Sequence, residues 1–129
     1  MLKTGLHNAQ INSLLCRMRH TNEIVIANRS FPFWPMIETV DISLVDDIPT
    51  VLQVLNAITP DCSFDQIFMA KEFLAANTEK TKQEFSAAFG QIPVNYEPDI
   101  DFQKRIPNTI GLIRTGDTIQ YANVILVST

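Results

Sequence analysis

The stretch Met-Arg-His-Thr-Asn (18–22), Glu-Ile-Val-Ile-Ala (23–27), Asn-Arg-Ser-Phe-Pro-Phe-Trp-Pro (28–35) decides the fold. Its middle is a short apolar run of mainly β-branched residues, the composition of a strand buried on both faces. The polar residues before it interrupt a helical pattern. The segment after it is a loop, in which Pro32 and Pro35 withdraw two backbone donors. Upstream, Ile11, Leu14, Leu15 and Met18 fall at helical spacing, and Asn8 is placed to cap that helix.

Downstream, Thr39 to Asp41 reads as a short strand. Asp46, Asp47 and Pro49 suit a helix start, and Val51, Leu52, Val54 and Leu55 continue that helix. The apolar run within Asp65 to Phe73 fits strand or helix and is read as strand at its start. Thr78 to Phe89 is amphipathic and stops at Gly90, a suitable C-terminal cap. Ile92 to Tyr96 reads as a strand, and Asp99 to Arg105 as a short helix between Pro98 and Pro107. Thr109 to Thr115 and Ala122 to Val127 read as two last strands, with a turn signal at Gly116-Asp117. Strands alternating with helices predict an α/β fold: one layered domain over residues 1–129 with a mostly parallel central sheet flanked by helices. Sites in such folds form beyond the carboxyl ends of the strands. The loop from Asn28 and the segment around Tyr121 are therefore the expected site positions.

Composition narrows the partners. The chain has 129 residues, 46% apolar and 19% charged, with a formal net charge of −4. A negative balance disfavours nucleic acid and anionic membrane, which need a basic surface. Two cysteines, Cys16 and Cys62, are too few for a disulfide framework. Cys16 sits in an apolar helical stretch and is read as a buried free thiol. The two histidines, His7 and His20, have no cysteine at metal-ligand spacing, so no metal site is expected. The first residues lack the apolar core of a signal peptide, and no run approaches the roughly 20 apolar residues of a membrane span. A cytoplasmic protein is expected.

Two separated motifs carry more information. The first runs Met18-Arg19-His20-Thr21-Asn22, Ile24-Val25-Ile26-Ala27-Asn28, Pro32, then Val40-Asp41 and Ile48-Pro49. The second is Ile113-Arg114-Thr115-Gly116 followed by Tyr121-Ala122-Asn123. Together they resemble the ribose pyranase/fucose mutarotase (RbsD/FucU) family over most of the chain, from Lys3 to Leu126. The resemblance implies cofactor-free interconversion of the ring forms or anomers of a monosaccharide. It also implies a homo-oligomeric, decamer-like ring with sites at subunit contacts. It places His20 as the catalytic acid and Tyr121, Ala122 and Asn123 as sugar contacts, with Asn28 and Asp99 at further substrate-binding positions.

Those residue types suit that chemistry. Opening a hemiacetal takes a proton from the anomeric hydroxyl and delivers one to the ring oxygen, and histidine is the side chain that ordinarily titrates near neutral pH. A phenol and an amide orient hydroxyls. Taken alone, a lone histidine between helix and strand is structural more often than catalytic, and Tyr121-Ala122-Asn123 reads equally as a strand entry. Arg114, in an apolar strand, is read either as a ligand or as an ion-pair partner of Asp41 or Asp117. Phe33 and Trp34 are read either as a sugar platform or as interface packing.

The chain also departs from the family pattern. Arg19 replaces a glycine, Asn22 and Asn28 replace aspartates, Ser30 replaces a glycine, and Asp99 replaces a histidine. At position 28 an amide keeps hydrogen bonding but lacks the charge that stabilises an imidazolium. Asp99 is the candidate to restore a carboxylate. Two expectations follow: an active isomerase with an altered acid–base partner, or a catalytically weak relative that binds sugar or serves as a structural or regulatory oligomer.

Overall fold

The computed structural model describes all of Met1–Thr129. Helix α1 (Ala9–Arg17) begins where Asn8 Oδ1 accepts the Ile11 N–H at 2.9 Å. Such a cap stabilises a helix by about 1 kcal/mol. Its apolar stripe buries Ile11 and Leu14, whereas Cys16 is exposed, on the opposite side from the face that packs. The expected buried thiol at Cys16 is therefore corrected.

Strand β1 (Glu23–Ala27) follows, and then the short β2 (Thr39–Asp41). Helix α2 (Val51–Ile58) starts at a reciprocal capping box between Thr50 and Gln53. Asp46 and Asp47 lie before this cap and outside the first turn, so they do not start the helix as the sequence suggested. Strand β3 (Phe64–Ala70) takes up the ambiguous apolar run, and α3 (Glu72–Ala76) follows at once. Helix α4 (Glu79–Phe89) ends at Gly90, whose φ of 60° is the left-handed conformation that glycine adopts without a Cβ clash. Strand β4 (Val94–Glu97), helix α5 (Asp99–Arg105), β5 (Gly111–Arg114) and β6 (Val124–Ser128) complete the chain.

The six strands form one sheet in the order β2-β5-β1-β6-β3-β4. β1 pairs parallel with β5, β5 with β2, and β3 with β4. β6 alone runs antiparallel, between β1 and β3. The last two strands therefore do not pair with each other, because β1 lies between them. The Gly116-Asp117 segment is a crossing loop with Asp117 fully buried, not an exposed hairpin tip.

The alternation of β1 explains its continuous apolar run. Ile24 and Ile26 enter the larger core, with side chains from α1, α2 and α4. Val25 and Ala27 enter a smaller core on the other face, with Phe31, Phe102 and Ile106. Both faces of a central strand are covered, so neither can be polar. No helix of the fold is long and apolar enough to cross a membrane.

Candidate active site

β6 runs against its neighbours, so its amino end lies beside the carboxyl end of β1. The Asn28 N–H, just past β1, donates to Asn123 Oδ1, just before β6, at 2.8 Å. The carboxyl end of β4 points the same way and leads through Pro98 into Asp99. These three approaches enclose an open cavity of about 480 Å³. Asn28, Asp99, Tyr121 and Asn123 all line it. The sequence-predicted residues thus meet at the expected end of the sheet.

Asn28 is buried, and each polar atom of its side chain has a partner within the chain. Its Nδ2 donates to the Ile119 carbonyl at 3.0 Å, and its Oδ1 accepts the Ser30 N–H at 3.1 Å. A carboxylate could not make the first of these bonds, since it has no proton to give. Asn28 therefore stitches its own loop to the 118–121 loop. Asn123 spends its Oδ1 on Asn28, while its Nδ2 has no partner within the chain and is left for a ligand.

The 118–121 loop is pinned from several sides. Thr118 donates its N–H and its hydroxyl to Asp47 Oδ1 at 2.9 and 2.8 Å. Those two bonds, the hydroxyl's first, hold the Asp47 carboxyl below its ordinary range. Buried Asp117 accepts the Ile119 N–H at 2.8 Å and, with its other oxygen, the Val51 N–H at 2.9 Å at the start of α2. A carboxylate at a helix N-terminus is well placed against the dipole and the free amides. Asn77 Nδ2 donates to the Gln120 carbonyl at 2.9 Å. With its neighbours fixed, Tyr121 is held at a φ of 57°, a left-handed conformation unfavourable for a tyrosine.

Asp99 opens α5, whose N-cap, Pro98, offers no side-chain bond. The missing acceptor comes from α3: both Glu72 carboxylate oxygens take the Asp99 N–H, at 3.2 and 3.0 Å. Gln103, one turn on, lines the cavity and donates to Asp99 Oδ1 at a long 3.5 Å. At its far end α5 is fastened by the Arg105–Glu97 ion pair, and the Arg105 guanidinium lies 3.7 Å over the Phe68 ring.

One expectation, the Arg114 ion pair, needs correction. Arg114 pairs with neither Asp41 nor Asp117; its guanidinium donates to the carbonyls of Asn28, Arg29 and Pro32 and holds the loop after β1. Phe33 is exposed and Trp34 packs against the smaller core, and neither lines the cavity. Ala122 is buried in the larger core, an anchor between two lining residues and not a wall of the cavity itself.

His20 is at the other end of the sheet. It precedes the amino end of β1, in a turn closed by Arg19 N–H donating to Asn22 Oδ1 and Asn22 N–H donating to the Arg19 carbonyl. The next residue, Thr21, has a φ of 67°, a strained value for a β-branched residue, and its N–H donates to the Ser128 carbonyl at the end of β6. A five-residue strand spans about 17 Å, so His20 and the cavity of its own chain do not meet.

The sequence reading missed Ser30, Phe31, Pro32, Gln103, Thr118 and Gln120, which also line the cavity. Gln103 was recoverable from its i+4 spacing to Asp99; the others lie in or beside the two segments expected to form the site, without a signal that singled out each side chain. Amides, hydroxyls, a phenol and one carboxylate around an open cavity suit a polyhydroxylated ligand, since each offers a directional bond to a hydroxyl.

The chain is similar to curated proteins along its whole length. It is 34% identical over 128 residues to a D-ribose pyranase of Geobacillus kaustophilus (strain HTA426), covering 99% of this chain and 93% of that protein. It is 31% identical to a D-ribose pyranase of Haemophilus influenzae (strain PittGG), covering 99% and 97%. The Bacillus subtilis RbsD structure complexed with D-ribose superposes at a TM-score of 0.92 with 25% identity, covering 99% of this chain and 97% of that one. The fucose mutarotase of Streptococcus pneumoniae in complex with L-fucose shares the fold at a TM-score of 0.80 and 20% identity, covering 94% and 91%. The family profile described as the RbsD / FucU transport protein family matches residues 1–129, and the chain belongs to that family.

Proposed function

We propose that the protein is an isomerase that interconverts the ring forms or anomers of an aldose by acid–base chemistry. The observation that carries this reading is the cavity in which the free Asn123 amide, the strained Tyr121 and the Asp99 carboxylate converge. Ribose and fucose, named for its relatives, are the first sugars to test. Asn123 Nδ2 donates to a sugar oxygen, the Tyr121 phenol orients a neighbouring hydroxyl, and Asp99 accepts a hydroxyl proton.

His20 is the proposed proton donor, and it serves the cavity of a second copy of the chain. Its exposure at the far end of the sheet favours this arrangement over one within a single chain. A closed, decamer-like homo-oligomer places one subunit's amino-end turn against the next subunit's cavity, and the cytoplasm is the proposed location. Asn28 acts here by positioning, since each polar atom of its side chain already holds a loop within the protein.

One observation favours a second reading, a sugar-binding relative with little catalysis: no carboxylate stands at position 28. Saturation-transfer NMR on ribose, fucose and other aldoses separates the two. Ring-form exchange faster than in buffer and lost in His20→Ala supports the isomerase. Binding without acceleration supports the second reading, and neither binding nor acceleration overturns both.

A further inference from the structure

None of the ten residues lining the cavity is lysine, arginine or histidine, and Asp99 is the one carboxylate among them. Asp99 takes part in no salt bridge, and its only side-chain bond is the long one from Gln103. Behind it the Glu72 carboxylate, bonded to the Asp99 N–H, brings a second negative charge to the same wall. The cations in the vicinity are spent or turned away. Arg29 is paired with Asp46, and Arg114 is spread over three carbonyls under the loop. Exposed Lys71 lies outside the lining.

We infer that this cavity discriminates sugars by charge: it takes ammonium-bearing aldoses ahead of neutral ones and rejects phosphorylated or carboxylated ones, with Asp99 as the discriminating residue. An anionic substituent entering here meets the Asp99 carboxylate in a partly desolvated cavity whose own lining holds no cation, and Arg19, beside His20 in the turn that a second copy brings, is spent on the carbonyls of Cys16 and Met18. A protonated amine meets an acceptor that nothing else in the chain neutralises. A 2-amino sugar is accordingly a better ligand than its parent. This inference rests on the sugar-site reading above.

The test is a set of binding titrations at pH 8, where histidine side chains are ordinarily neutral, with D-ribose, 2-amino-2-deoxy-D-ribose and D-ribose 5-phosphate as probes. One charge a few ångströms away changes affinity by about fivefold or more at low salt. The expected order is amino sugar, then ribose, then phosphate, with the spread shrinking as salt shortens the range of the field and collapsing in Asp99→Asn, a change that preserves side-chain shape. Ribose 5-phosphate binding as tightly as the amino sugar, with ribose still bound, overturns the inference and leaves the sugar site standing. An unchanged order in a folded Asp99→Asn protein overturns the assignment to Asp99. Failure of all three probes to bind overturns the sugar site and this inference with it.

Discussion

Two inactive variants are expected to restore activity when assembled together. His20→Ala removes the proposed proton donor at the amino end of β1. Asn123→Asp keeps the oxygen that the Asn28 N–H requires, so the loops stay joined, but replaces the free Nδ2 donor with a second acceptor. In the proposed arrangement each working site takes its cavity from one subunit and His20 from another. Random co-assembly of equal amounts gives an intact cavity in half the sites and an intact donor in half. About one-quarter of the sites in a closed homo-oligomer are then whole. The assay is ring-form exchange by saturation-transfer NMR on co-refolded protein, with mixed oligomers confirmed by native mass spectrometry. Mixed oligomers no more active than the separate variants refute the shared site. Full activity in His20→Ala alone refutes the role of the histidine.

Asp117→Ala leaves the buried Val51 N–H and the part-buried Ile119 N–H without their acceptor, and stability by urea unfolding is expected to fall by about 2–6 kcal/mol, at about 1–3 kcal/mol per unsatisfied group. A loss below about 0.5 kcal/mol would contradict the capping role. Gly116→Ala places a methyl group 2.3 Å from the Val45 carbonyl oxygen and 2.9 Å from that of Ile48. The backbone of the 45–48 segment must then shift, at a cost of about 1–3 kcal/mol, visible as altered amide shifts there; an unperturbed spectrum contradicts the packing. The Glu23 carboxyl is raised by burial, opposed by Arg105 and helped by Glu97. The folded state therefore holds this proton more tightly than the unfolded state does. Its contribution is full below the ordinary glutamate range and is lost as pH rises through the raised folded value. Glu23→Gln is thus expected to gain stability relative to the parent as pH climbs through that window, and thermal melts showing a pH-independent difference would refute this.

The legible parts of the fold were those fixed by local chemistry. Asn8 capped the first helix, Gly90 closed the fourth, and Glu-Ile-Val-Ile-Ala formed a strand buried on both sides. The ambiguity at residues 65–73 arose because an apolar run that short has no period of its own, and only pairing with β4 and β6 makes it a strand. Asp46 and Asp47 misled because acidic residues near a proline resemble a helix start. Here Asp47 bonds Thr118, and the carboxylate at that helix start is Asp117, 66 positions from Val51 along the chain.

The sequence by itself determined most of the elements, though not α3 or the strand character of residues 65–73, together with the alternation that makes the fold α/β and the residue types of a sugar site, because caps, periodicity and side-chain chemistry act over a few residues. Tertiary structure alone decided that β6 runs backwards between β1 and β3, and with it that Asn28 meets Asn123. It also decided that Asn28 is a brace, that Asp99 stands unpaired in the cavity, and that His20 faces away from its own chain's site. Each of these depends on contacts between residues far apart in the chain, and local pattern carries no record of them.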